Sequence, residues 1–119
     1  MAGRSILIAE DEPWIALDLA AEVESQDGRV IGPTPTLAGT FAILASERVD
    51  AAILDGNLAN RDTTPVAHLL IQRRIPFVIH SGLSLPEELA AEYPFLDLVR
   101  KPAPSSAVIA HLMAAIEGA

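Results

Sequence analysis

Short, continuous apolar runs alternate with longer stretches in which apolar residues recur every three or four positions. The runs fall at 5–9, 29–32, 51–54, 77–80 and 96–99. An unbroken run of this length, such as Ile6-Leu7-Ile8-Ala9, predicts a strand covered on both faces. Between the runs lie helical patterns. Over 13–26, Ile15, Leu19 and Val23 share one face, Pro13 sits in the first turn where a missing N–H costs little, and Gly28 is expected to end the helix in the left-handed conformation. Residues 33–36 read as a loop, with Thr36 capping a helix that turns Leu37, Phe41 and Leu44 inward. Residues 55–64 read as another loop, with Asp62 or Thr63 capping a helix that buries Val66, Leu69 and Leu70. Ser84 and Glu87 have capping-box spacing for a short helix stopped by Pro94. The last helix starts near Pro104, packs Ile109, Leu112, Met113 and Ile116, and closes at Gly118.

Strands separated by helices imply a parallel sheet with right-handed crossovers and helices on both faces. Ligands of such sheets bind beyond the carboxyl ends of the strands. The reactive residues of this chain fall there. The first run leads into Glu10-Asp11-Glu12, the third into Asp55, the fourth into Ser81, and the fifth stops just before Lys101, the single lysine. Two carboxylates ~4 Å apart repel by about 4 kcal/mol at an effective dielectric near 20, so a fold that gathers Glu10, Asp11 and Asp55 calls for a cation. Oxygen ligands beside a phosphate substrate point to Mg²⁺, with the Asn57 backbone carbonyl as a further ligand. Asp55 stands alone at its strand end and is the candidate nucleophile toward phosphorus. Lys101 supplies a point charge for phosphoryl oxygens and Ser81 a hydroxyl donor.

Composition narrows the alternatives. A chain of 119 residues is one domain, without cysteines and therefore without disulfides or thiolate metal sites. The net charge of −8, with basic residues scattered, argues against nucleic acid and anionic membrane as partners. No signal peptide or membrane-spanning run is present in the sequence, and a cytoplasmic location is expected. Glu12 reads as a first-turn helix charge, His80 as a packed strand-end residue, and His68 and His111 as helix residues without partner spacing. Trp14 can shield the acidic residues, mark a docking surface or cover the sheet.

The joint spacing resembles the receiver domain of two-component response regulators, over 6–116. Glu10-Asp11 match the acidic pair of that family, Asp55 the phosphoacceptor followed by Asn57-Leu58, Ser81 the hydroxyl switch residue, and Lys101-Pro102 the Lys-Pro pair whose peptide bond is usually cis. Ile75-Pro76-Phe77-Val78, His80-Ser81-Gly82 and Arg100-Lys101-Pro102 are similar, more narrowly, to single-domain receivers of alphaproteobacteria. The chain departs from the pattern at Leu98, where an aromatic is frequent, at Ser81, where the subgroup favours threonine, and at Leu83 and Ala103, where it favours aromatics.

The resemblance implies a flavodoxin-like α/β fold with strand order 2-1-3-4-5 and a single receiver domain over 1–119 without an output domain. It implies Mg²⁺ bound directly by Asp11, Asp55 and the Asn57 backbone, with Glu10 acting through water. The partner would be a sensor histidine kinase or phosphotransfer protein that phosphorylates Asp55, and the output a protein–protein contact or onward phosphotransfer. Ser81 would be pulled toward the phosphoryl group, moving 82–94. The fourth helix, fifth strand and fifth helix form the expected output face, where a homodimer would also pair. Such a protein is a signalling phosphoacceptor rather than an enzyme. The competing readings are an unphosphorylated pseudo-receiver used as a binding module, to which Leu98 lends weight, and a small phosphatase. Asn57 stands where the phosphatase would need a second acid.

Overall fold

The computed structural model describes residues 1–118. Five parallel strands form the central sheet: β1 (Ser5–Ala9), β2 (Arg29–Thr34), β3 (Ala51–Asp55), β6 (Phe77–Ser81) and β7 (Leu98–Arg100). Their spatial order is β2-β1-β3-β6-β7, which is 2-1-3-4-5 when these strands alone are counted. Helices α1 (Pro13–Ser25), α2 (Leu37–Ser46), α3 (Thr64–Gln72), α4 (Glu87–Glu92) and α5 (Ser105–Glu117) connect and cover them.

The continuous apolar runs have a plain physical cause. Side chains alternate across a strand, so a sheet covered on both sides needs apolar residues at every position. Ile6, Ile8, Ile53 and Val78 pack with Leu19 and Val23 of α1 and Ile109 and Leu112 of α5. Leu7, Leu54 and Ile79 turn the other way, against Leu44 of α2, Val66 and Leu70 of α3, and Leu89 of α4. All residues of β1, β3 and β6 are buried.

Several local details differ from the sequence expectation. Strand β2 runs on through Gly32-Pro33 to Thr34, with a bulge between Leu7 and Ala9, Gly32 at φ 95° and a cis Gly32–Pro33 bond. Proline is tolerated there because β2 is an edge strand. The loop after β3 folds into a two-stranded hairpin, β4 (Asn57–Leu58) with β5 (Arg61–Asp62). Helix α1 ends not on Gly28 but on Asp27, which takes the left-handed conformation (φ 63°). The amides of Asp27 and Gly28 then bond the carbonyls of Glu24 and Val23, a Schellman closure.

On α2 the buried pair is Thr40 and Leu44, whereas Phe41 is partly exposed. Thr40 is satisfied inside because its hydroxyl donates to the Thr36 carbonyl at 2.7 Å. Thr36 caps α2 as expected, accepting from the Gly39 amide. On α3 Leu69 is half-buried and packs at the edge of the core that Ala67 joins, and on α5 Met113 and Ile116 do the same beside the fully buried Val108. Asp62, rather than Thr63, accepts at the start of α3, from the Thr64 amide. Ser84 does not cap α4; its hydroxyl accepts from Arg100 at 3.0 Å and the helix starts after Pro86. The last strand begins at Leu98, later than its apolar run suggests, and Asp97 lies just before it.

Candidate functional site

Register brings the site together. Ile6 pairs with Ala51 and Ala9 with Leu54, so β1 and β3 end side by side and Glu10 and Asp11 emerge next to Asp55. Asp55 pairs with His80, and Ser81 with Arg100, which places Ser81 and Lys101 on the same edge. One carboxylate oxygen from each of Glu10, Asp11 and Asp55 lies within 4.8 Å of the other two. The Lys101 ammonium sits 3.0 Å from Glu10 Oε1 and 3.0 Å from Asp55 Oδ2. The Lys101–Pro102 bond is cis.

The backbone holds each carboxylate. The Asn57 amide donates to Asp55 Oδ1 at 3.2 Å, the Ala59 amide to Asp11 Oδ2 at 3.1 Å, and the Glu12 amide to Glu10 Oε2 at 3.1 Å. The Ala59 bond gives the β4–β5 hairpin a purpose in the site, since Ala59 occupies its turn at φ 49°. Lys101 is also fixed through its main chain, its amide donating to the Ser81 carbonyl at 3.0 Å. The Ser81 hydroxyl accepts from the Leu83 amide at 3.2 Å.

Burial and charge shape the electrostatics. Glu10 and Asp55 are buried, whereas Asp11 is exposed. Burial pushes the Glu10 carboxyl up to about 7, helped by its hydrogen-bonded neighbour Asp55 and opposed by the Glu12 amide and Lys101. Burial works against the Lys101 charge too, but the bonds to Glu10 and Asp55 outweigh it and the ammonium is raised above its ordinary value. His80 is lowered, by burial and by the Lys101 charge. One ammonium among three carboxylates leaves negative charge that these side chains do not neutralise. An all-oxygen donor set with such a charge suits a hard divalent cation such as Mg²⁺.

Sequence reasoning missed Gly56. A Cβ there would lie 2.9 Å from Ser81 Oγ and 3.1 Å from Ser81 Cβ, so glycine lets the serine lie against the backbone next to Asp55. The signal was its place directly after Asp55. A cavity of about 200 Å³ opens beside Ser81, lined by Gly56, Asn57, Asp62, Leu83, Ser84 and Pro86. Behind Lys101 a larger hollow of about 500 Å³ separates α1 from the start of α5 and reaches His80. Glu12 is the N-cap of α1, with its carboxylate 3.9 Å from Lys101. Trp14 is 82 % exposed and therefore does not cover the sheet. His68 and His111 do have acidic partners: Glu92 across the α3–α4 gap, and Asp97 at 2.9 Å.

No protein-family profile and no curated protein matches the chain. Solved structures do. SdrG from Sphingomonas melonis Fr1 is 36 % identical over 98 % of each chain, with a TM-score of 0.81. The chain belongs to the receiver-domain family of two-component response regulators. More distant structures share the fold. A response regulator receiver protein from Sinorhizobium medicae WSM419 is 21 % identical over 97 % of this chain and 95 % of its own, with a TM-score of 0.80. The receiver domain of the sensor histidine kinase PA1611 from Pseudomonas aeruginosa PAO1, with magnesium coordinated in its active-site cleft, is 21 % identical over 98 % and 99 %, with a TM-score of 0.78. Receiver domains are signalling phosphoacceptors that work with histidine kinases and phosphotransfer proteins. Among the described residues no helix is long and apolar enough to cross a membrane.

Proposed function

We propose that Asp55 accepts a phosphoryl group from the phosphohistidine of a sensor kinase or phosphotransfer protein. The observation that carries this reading is the Lys101 ammonium 3.0 Å from Asp55 Oδ2, with the Glu10 and Asp11 carboxylates beside it. An Asp55 oxygen attacks phosphorus while the phosphorus–nitrogen bond of the donor imidazole breaks, leaving an acyl phosphate. Such a transfer needs positioning and charge stabilisation more than covalent help. Asp11, Asp55 and the Asn57 carbonyl would hold Mg²⁺, with Glu10 in its outer shell; when bound, the ion neutralises charge on the transferred group. Lys101 then exchanges its ion pair with Asp55 for the phosphoryl oxygens, and Ser81 donates its hydroxyl across the gap that Gly56 keeps open.

The signal leaves through protein contacts. Phosphorylation biases an existing equilibrium of the 82–94 segment, because that segment is tied to Ser81 through the Leu83 amide and moves with the hydroxyl as it turns its proton toward the phosphoryl group. The readout lies on the face made by α4, β7 and α5, in contact with a downstream protein or a second copy.

Incubation with acetyl phosphate and MgCl₂ tests the reading by mass spectrometry. One phosphoryl group should be gained, less of it without Mg²⁺, and none in Asp55→Asn. A wild-type chain that stays unmodified under these conditions overturns it in favour of a pseudo-receiver. Continuous multiple turnover would favour a phosphatase.

A further inference from the structure

Among the described residues, one other group of side chains has metal-ligating composition, on helices α3 and α4. His68 stands on α3, and Glu88 and Glu92 stand one turn apart on α4, hence on the same side of that helix. His68 Nε2 and one oxygen from each glutamate all lie within 4.8 Å of one another. His68 Nε2 and Glu92 Oε2 are 3.6 Å apart, too far for a hydrogen bond. Yet Nε2 is shielded from solvent and has no hydrogen-bond partner among the described residues. Native proteins rarely leave a shielded nitrogen without a partner, although the His68 side chain as a whole is 38 % exposed. The ring is held in place by Tyr93, edge-on at 5.8 Å and 78°.

We propose that His68, Glu88 and Glu92 bind a divalent transition-metal ion of the zinc class, which ties α3 to α4. Ligands about 2.0–2.1 Å from a tetrahedral ion stand roughly 3.3–3.5 Å from each other. The 3.6 Å between His68 and Glu92 is close to that edge. Glu88 is exposed and free to swing in as the third ligand, and water takes the fourth position. The imidazole nitrogen distinguishes this set from the oxygen-only pocket at Asp55 and selects zinc over magnesium or calcium. Two carboxylates and a neutral imidazole match the charge of the dication. The inference does not depend on phosphorylation of Asp55.

Titration of the chain with ZnCl₂ in excess MgCl₂, followed by calorimetry and amide exchange, tests it. One equivalent should bind, and exchange across 87–92 should slow. Glu92→Gln, an exposed change that leaves the fold alone, and His68→Phe, which keeps a ring against Tyr93, should each weaken zinc about ten-fold or more. Asp55→Asn should bind zinc as the wild type does. Absence of binding, equal binding by both ligand variants, or a loss confined to Asp55→Asn would each overturn the site.

Discussion

The Lys101 ammonium lies 3.0 Å from Asp55 Oδ2 across 46 residues of chain, and it reaches Glu10 Oε1 at the same distance. Both carboxylates are buried, so neither has bulk water to turn to when the lysine is removed. Lys101→Met should therefore destabilise the metal-free protein by about 1–3 kcal/mol at pH 8, the penalty for leaving buried charge unpaired. At pH 5 the loss should be smaller, because the Glu10 carboxyl, raised to about 7, can protonate instead. Urea unfolding at the two pH values checks this. An equal loss at both would mean that the lysine contributes packing and not charge.

Glu10 predicts a pH dependence of its own. Its folded carboxyl is raised to about 7 from an ordinary 4.5, chiefly by burial. The folded state thus holds a proton that the unfolded chain has released, and stability falls as pH rises from about 4.5 to about 7. The loss should be on the order of 2 kcal/mol in metal-free protein. His80 acts in the opposite sense: its lowered value makes acidification below about 6.5 destabilising. Comparing wild type with Glu10→Gln across pH 5–8 separates the two, since only the Glu10 slope should vanish.

Much of this arrangement could be read from the order of residues, for identifiable reasons. Strands β1, β3 and β6 are apolar at every position because both faces are covered, and that makes their carboxyl ends, hence Glu10, Asp11, Asp55 and Ser81, easy to locate. Lys101 is found the same way, one residue past β7. What escaped depends on contacts between distant segments or on very short elements. Two-residue strands such as β4 and β5 have no periodicity to detect. Thr40 and Phe41 adjoin on α2, and which one turns inward is decided by the Thr36 carbonyl that satisfies the hydroxyl. The need for glycine at 56 exists only because Ser81, on another strand, lies against it. His68 and Glu92 meet only through the packing of α3 beside α4.

Gly56 offers a direct test of that closeness. In Gly56→Ala the new methyl would meet Ser81 Oγ at 2.9 Å and Ser81 Cβ at 3.1 Å. Overpacking of this kind typically costs about 1–3 kcal/mol. Removing the hydroxyl in Gly56→Ala/Ser81→Ala should recover part of the loss, because the closer of the two contacts disappears. Thermal unfolding of the single and double variants measures the coupling, and strictly additive effects would show that the two residues do not press on each other.

The end of α1 separates two roles that glycine can play. Asp27 adopts φ 63°, where a Cβ is unfavourable, so Asp27→Gly should be neutral or stabilise by up to about 1 kcal/mol. Gly28 does not need a positive φ; it needs space, since a Cβ there would stand 2.7 Å from Val23 Cγ1 and 3.1 Å from the Val23 carbonyl oxygen. The Gly28 amide is bonded to that same carbonyl, so the backbone cannot withdraw without losing the helix closure. Gly28→Ala should then cost about 1–3 kcal/mol. Chemical denaturation of both variants decides the matter. If Gly28→Ala were harmless and Asp27→Gly damaging, the closure would depend on the Asp27 side chain and not on the close approach of Gly28 to Val23.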